Sequence, residues 1–298
     1  MKNICIIGCG LLGSSLLRRI HKKKLAKKIF IYEKSKKNLK KIKSLKLPGI
    51  IVKKPEEAVV QSKLIIFCTP MSEYKKIILL INNYLTPNHI ITDIGSSKLM
   101  STKMIKKTLK KDIFWTSSHP IAGSEVSGPE NGKEGLFENK WCVLIKEKKF
   151  NNKHILFLRS FWKKMGSKIV IMSAKKHDQI FSITSHLPHL IAYNLVKSAQ
   201  DFEKKQKYNI LKYSAGGLRD FSRIAASNEI MWRDIFFANK ENVSKAINLF
   251  INNLNTFKKD ISKKNNKSIL KKLVQTKKVR SKIIKLKQDI NKPNFGRD

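Results

Sequence analysis

Along the first half of the chain, apolar residues come in short dense runs, and between the runs they recur at helical spacing. Lys2–Ile7 (KNICII) is the first such run, Ile29–Tyr32 the second, and Ile50–Val52 a shorter third. Lys63–Cys68 (KLIIFC) stops at Thr69-Pro70, and His89–Asp93 (HIITD) runs into Gly95-Ser96-Ser97-Lys98. Asp112–Ser118 leads into His119-Pro120, and Trp141–Ile145 and Lys168–Met172 follow as further strand candidates. Helices are predicted between the runs: one reaching Ile20, a Lys-rich one over about 35–46, one over Ser72–Tyr84 and one after Lys98. Strands alternating with helices predict a doubly wound parallel sheet, which the last two candidates would complete. From about Ala174 the pattern changes to long helical periodicity, and Ile183–Val196, Tyr208–Ala226 and Ile230–Phe257 all read as helices. The tail keeps apolar residues at Val279, Ile283, Leu286 and Ile290, again at helical spacing. The expected class is therefore α/β, with a sheet domain over residues 1–173 followed by an all-helical domain over 174–298.

The turn after the first run is Gly8-Cys9-Gly10-Leu11-Leu12-Gly13, and the second run ends on Glu33, twenty residues beyond the last glycine. Strand, glycine-rich turn, helix, strand and acid in that order predict a Rossmann dinucleotide site. Gly8 allows the tight turn, Gly10 lets backbone approach a pyrophosphate, and Gly13 permits close packing of helix on strand. The start of the helix offers free N–H groups to phosphate oxygens. Glu33 can accept hydrogen bonds from a ribose diol and favours NAD, while Lys34, Lys36 and Lys37 leave NADP open. The run before Cys9 is shorter than the roughly 7–15 apolar residues of a secretory or lipoprotein signal.

Charge alters this picture less than its size suggests. The net charge is +42, a value that points first to nucleic acid. Only eight of the 63 basic residues are arginine, however, and lysine is spread through the whole chain beside Ile and Asn, as a biased genome would produce. Residues 258–298 hold fifteen basic and three acidic residues, yet most of the excess lies elsewhere. Specific nucleic-acid binding is therefore not expected. No apolar run approaches the roughly 18 residues of a membrane span, so neither is membrane insertion. Cys5, Cys9, Cys68 and Cys142 lack paired metal-ligand spacing and read as reduced thiols of a cytoplasmic protein.

In an open α/β sheet, ligands bind beyond the carboxyl ends of the strands. Thr69-Pro70, Gly95–Lys98 and His119 fall there. A histidine at the end of the sixth strand suits proton abstraction from a hydroxyl, and Ser96 is placed to hold its imidazole or a cofactor group. Three of the eight arginines, Arg219, Arg223 and Arg233, lie within fifteen residues. In a chain that otherwise uses lysine, they suggest bidentate recognition of a carboxylate substrate, with Asp220 and Asp234 as orienting partners and internal ion pairing as the alternative. His177-Asp178 and Ser185-His186-Leu187-Pro188-His189 lack the spacing of a zinc helix, so no metal is expected. His189 is better read as a hydrogen-bond donor to an anion.

Taken in order, these segments resemble the prephenate/arogenate (cyclohexadienyl) dehydrogenase family of tyrosine biosynthesis. The resemblance rests on Gly8–Gly13, Asp93–Lys98, His119–Glu125, His177-Asp178, Ser185–His189, Gly217–Ala225 and Met231–Asp234, and covers about residues 2–260. It implies a nucleotide-binding domain, a helical dimerisation domain and a homodimer. It further implies His119 as the catalytic histidine on a ring hydroxyl and Ser96 as the serine positioning it near the nicotinamide. Arg223 would bind a substrate carboxylate, His189 would be a second substrate contact, and Glu125, Asp178, Asp220 and Trp232 would shape or gate the pocket. Gly8, Gly10, Leu11, Leu12, Gly13, Glu33, Thr69 and Pro70, with Ser96, would bind the cofactor. The reaction implied is oxidative decarboxylation of prephenate or arogenate; the sequence leaves that choice open. The last forty residues are too short and basic for the regulatory domain some relatives carry, and no mutase-like domain is expected ahead of Met1. Another two-domain Rossmann oxidoreductase, using a lysine of its helical domain, and a basic polyanion-binding module are the alternatives.

Overall fold

Ile4–Ile7, the first apolar run, lies at the centre of a five-stranded parallel sheet in a computed structural model that describes residues 2–147 and 152–288. The expected position Ile290 lies outside the described residues. The sheet domain is built from β1 (Ile4–Ile7), α1 (Leu11–Lys22), β2 (Ile29–Tyr32), α2 (Lys36–Ser44), β3 (Ile50–Val52), α3 (Pro55–Val59), β4 (Leu64–Phe67), α4 (Tyr74–Ile81), β5 (Ile90–Asp93) and α5 (Leu99–Thr108). Strand order is β3-β2-β1-β4-β5, all parallel, which is the Rossmann arrangement. β1, β4 and β5 are buried along their whole length, because parallel strands covered on both faces have no solvent side to alternate with. Ile4 and Ile6 pack with Leu16, Leu17 and Ile20 of α1, whereas Cys5 and Ile7 pack with Ile77 and Ile78 of α4 and Ile105 of α5. One strand thus feeds two separate cores through its period-two alternation.

The remaining strands depart from expectation. β6 (Ser118–Pro120), β7 (Trp141–Ile145) and β8 (Lys168–Met172) form their own three-stranded sheet, with β6 antiparallel to β7. They do not complete the five-stranded sheet. A single parallel bridge, Ile91 with Trp115, carries the chain past β5, and then hydroxyls take over from the ladder. Ser118 Oγ donates to the Asp93 carbonyl at 2.8 Å and meets Thr92 Oγ1 at 2.9 Å. Side chains that bond neighbouring backbone release the strand to turn away. His119 accordingly sits mid-strand in β6 rather than at a strand's carboxyl end.

After α6 (Asn152–Lys164) and β8 the chain becomes helical: α7 (Ala174–Phe181), α8 (Leu187–Gln206), α9 (Gly216–Ala225), α10 (Glu229–Ala238), α11 (Lys240–Ser262) and α12 (Asn266–Lys285). Two of the expected long helices are broken. Residues 208–215 hold only a single 3-10 turn ahead of Gly216-Gly217, and Asn239 leaves helical geometry with φ −117° and so separates α10 from α11. Residues up to Val243 form one compact unit and those from Ser244 onward another. Among the described residues, no helix is long and apolar enough to cross a membrane.

Gly13 is the tightest contact in the first turn. A Cβ there would lie 2.1 Å from the Gly8 carbonyl oxygen. Backbone must move to admit it, so Gly13→Ala is expected to destabilise by about 1–3 kcal/mol, read as a lower Tm. An unchanged Tm would show that the turn spreads freely.

Candidate active site

The glycine turn and β4 face each other closely. Gly8 has φ +90°, and a Cβ on it would strike Thr69 Cγ2 at 2.7 Å, so the turn must be glycine on both counts. Gly10, in contrast, faces open space, with nothing within 4 Å of where its Cβ would be. It caps α1 without a side-chain hydrogen bond, so the cap satisfies none of the first-turn N–H groups. Glu33 ends β2 with both carboxylate oxygens engaged, accepting from Cys9 N–H at 2.7 Å and Ser35 N–H at 2.7 Å. Its charge is therefore fixed beside the turn. Thr69 Oγ1 is buried without a hydrogen-bond partner, and exposed Pro70 starts the next turn. An open cradle, an uncapped helix start, a fixed acid and an orphaned hydroxyl fit a dinucleotide.

Next to this cleft a line of buried groups converges on His119. Asp178 accepts hydrogen bonds from the Lys98 and Leu99 backbone N–H groups, both at 2.8 Å, and from Ser97 Oγ at 3.2 Å. His177 Nδ1 meets Asp178 Oδ1 at 2.8 Å, and His177 Nε2 meets His119 Nδ1 at 2.8 Å. Burial pulls the Asp178 pKa up, but the His177 and backbone hydrogen bonds outweigh it and the net movement is down. An ionised Asp178 can only accept, so His177 carries its proton on Nδ1 and presents a bare Nε2. His119 must then donate from Nδ1, which leaves the lone pair of its own Nε2 free. Burial, followed by the charges of His177, Lys98 and His186, holds the His119 pKa well below the usual 6.5 and keeps the ring neutral at pH 7.

The Nδ1 of His119 is held by His177, and half-buried Ser96 lies in the loop between β5 and α5. The loop is anchored from behind by Lys98, which is wholly buried and donates to Asp93 Oδ2 at 2.6 Å and the Ser118 carbonyl at 2.7 Å. Asp93 also accepts from Tyr74 OH at 3.2 Å, Gly95 N–H at 3.0 Å and Trp115 Nε1 at 3.1 Å, so neither buried charge is left unpaired.

A second group gathers on α8, α9 and α10. His189 donates from Nδ1 to the Ser185 carbonyl at 2.9 Å and stacks on Trp232 with ring centroids 3.8 Å apart. Its pKa is lowered by burial, and further by the nearby Arg223. Arg223 pairs with Glu125 at 3.3 Å while its Nε is buried without a partner. Glu125 is thus an acid that orients Arg223, and of the two acids expected to orient the arginine cluster Asp234 does so at Arg233. Half-buried Asp220 lies three residues before Arg223 on α9. Asp234 pairs with Arg233 at 2.7 Å and accepts the Ser72 N–H at 3.0 Å, joining α10 to the loop after β4.

A π-helical turn, Ser182–His186, joins α7 to α8 and explains how one helical run serves both groups. Twelve residues of pure α-helix would turn His189 about 120° away from His177. One extra residue in a π turn takes back about 100°, so both imidazoles reach the same side. His177, Lys98, His186 and Asn239 were missed as functional positions. Their histidines and charges were legible, but not the turn and loop geometry that aligns them.

His119, His177, His186 and His189 all have lowered pKa values, burial being the first cause in each case. The unfolded chain binds protons on these groups below pH 6.5 where the folded protein does not. Stability is thus full above pH 6.5 and falls as pH drops toward the folded values. For His186, at about 4, the complete loss amounts to about 3 kcal/mol. The urea midpoint should therefore fall between pH 7 and pH 5; an equal midpoint would contradict neutral buried imidazoles.

Known proteins share this fold. Residues 16–171 match the family described as prephenate dehydrogenase, nucleotide-binding domain, and residues 173–276 match prephenate dehydrogenase, dimerization domain. Cyclohexadienyl dehydrogenase of Zymomonas mobilis is 31% identical over 279 residues, covering 94% of this chain and 95% of that protein. Prephenate dehydrogenase of Lactococcus lactis is 30% identical over 285 residues, covering 94% and 77%. The crystal structure of Aquifex aeolicus prephenate dehydrogenase, in complex with hydroxyphenyl propionate and NAD+, has a TM-score of 0.88 at 31% identity over 95% of this chain and 98% of that one. The chain belongs to the prephenate dehydrogenase family.

Proposed function

We propose that the protein is an NAD-dependent prephenate dehydrogenase, converting prephenate to 4-hydroxyphenylpyruvate and carbon dioxide in the cytoplasm. The observation that carries this reading is the Asp178–His177–His119 line, which ends in a neutral imidazole with a bare Nε2 beside the nucleotide cleft. That lone pair accepts a hydrogen bond from the substrate's ring hydroxyl and draws electron density toward the carbon that gives up hydride. Bound NAD supplies the hydride acceptor. Gly8, Gly10 and Gly13 with the α1 N–H groups hold the pyrophosphate, Glu33 the ribose, and Thr69, Pro70 and Ser96 line the nicotinamide end. Because both oxygens of Glu33 are tied to backbone, its charge stays in place against a 2′-phosphate. Loss of carbon dioxide completes the aromatic ring, and the hydroxyl proton, shared with His119 while hydride leaves, stays with the phenol oxygen, so no net proton is released.

Arg223 binds a substrate carboxylate, supported by its free Nε. His189 is a second substrate contact: with its proton committed to the Ser185 carbonyl it presents an acceptor Nε2, which suits a donor group of the substrate rather than a carboxylate. Glu125, Trp232, Asp220 and Asp178 shape the pocket or orient its groups. We place the domain division at residue 173, supported by the family matches on either side. A homodimer through the helical part is supported by the dimerization-domain match and by Leu195, Phe202 and Phe237, large apolar side chains left exposed on α8 and α10. Specific nucleic-acid binding has no part in this reading.

Purified protein should reduce NAD in the presence of prephenate, followed by absorbance. Faster turnover of arogenate would shift the substrate assignment. No turnover of either substrate by a folded, NAD-binding sample would overturn the reading. His119→Asn should lower kcat by at least about 100-fold with NAD affinity unchanged. For the wild type, burial predicts an acid limb of kcat/KM below pH 6.5. A limb above that value would show that the ring is not held neutral.

A further inference from the structure

Behind the catalytic line lies a second polar chain that the reaction, as derived, does not use. Its centre is Asn239, 3% exposed at the break between α10 and α11. Asn239 Oδ1 accepts from Asn242 Nδ2 at 2.7 Å. Its Nδ2 lies 2.8 Å from the Asp178 carbonyl and 3.1 Å from His186 Nδ1. The carbonyl can only accept, so the amide is oriented with Nδ2 toward both, and each of its protons has a separate acceptor. His186 Nδ1 is therefore bare, and the neutral ring carries its proton on Nε2. That Nε2 is buried without a hydrogen-bond partner, while the Ser96 backbone stands near enough to the ring to favour a proton on it. The ring has no exposed surface and meets Trp232 edge-on at 6.2 Å.

We propose that Asn239 and His186 are positioning residues for the reaction proposed above: Asn239 fixes the His186 tautomer so that its Nε2–H supports the Ser96 loop, and the same amide holds the backbone of Asp178. One side chain thereby sets the two faces between which His119 works, the nicotinamide-end loop and the His177–Asp178 line. The charged and titratable groups facing His186 are Asp178 and His177 of α7, His189 of α8 and His119 of β6. Burial, acting first, brings the His186 pKa down to about 4, in keeping with a permanently neutral donor.

The substitution Asn239→Asp tests the inference, since a carboxylate cannot donate to Nδ1 and instead attracts a proton to it. We expect kcat to fall about 10- to 100-fold with the KM for prephenate little changed, because misplacement rather than lost binding is at fault. The acid limb of kcat should also move to higher pH as His186 becomes protonatable. His186→Gln keeps an N–H donor at the reach of Nε2 and should retain most activity, whereas the shorter His186→Asn should not. A folded, NAD-binding Asn239→Asp protein with wild-type kcat and pH profile would overturn the proposal. So would equal activities of the two His186 variants. If the wild type turns over neither prephenate nor arogenate, the reaction falls instead. The pair then stands or falls on the nitrogen NMR signals of His186, with Nε2 expected protonated and Nδ1 bare.

Discussion

An ionised carboxylate can accept hydrogen bonds but cannot donate one, and the rest of the site depends on this property of Asp178. The start of α5 supplies two backbone N–H groups and Ser97 a hydroxyl, so the charge is held before any histidine is considered. His177 is the next donor, and its single proton is committed to Asp178. Every later protonation state follows from that commitment, down to the bare nitrogen of His119. Reversing one proton anywhere along the line would turn the final acceptor into a donor.

The fold brings this about by joining two unlike pieces. The parallel sheet provides loops at its carboxyl ends, and β6 leaves the sheet through hydroxyl hydrogen bonds so that His119 faces inward from a strand's middle. The helical run from α7 to α8 provides the partner, and its π turn carries His177, Asp178, His186 and His189 to one side. Buried Lys98 stands between them, neutralising Asp93 while its charge also disfavours protonation of His119. The glycine turn places the nucleotide cleft beside this junction.

Much of this was legible beforehand because it depends on local chemistry. Glycine, strand and acid spacing marked the nucleotide cleft, since a Cβ at Gly8 or Gly13 meets backbone directly. The five parallel strands followed from dense apolar runs. The departure of β6 did not, because Ser118 bonding to Asp93 depends on tertiary register rather than on the pattern of residues. The pairing of Arg223 with Glu125 was equally hidden, as the two lie 98 residues apart in sequence. Helix breaks at 208–215 and at Asn239 were overridden in the reading by strong apolar periodicity on both sides.

The central claim is that His119 is a neutral imidazole protonated on Nδ1 and bare on Nε2. Nitrogen NMR of histidine-labelled protein at pH 7, with His119 assigned by loss of its signals in His119→Asn, reads this directly. The account predicts one protonated and one bare nitrogen, with Nδ1 protonated. A proton on Nε2, or on both nitrogens, would contradict it.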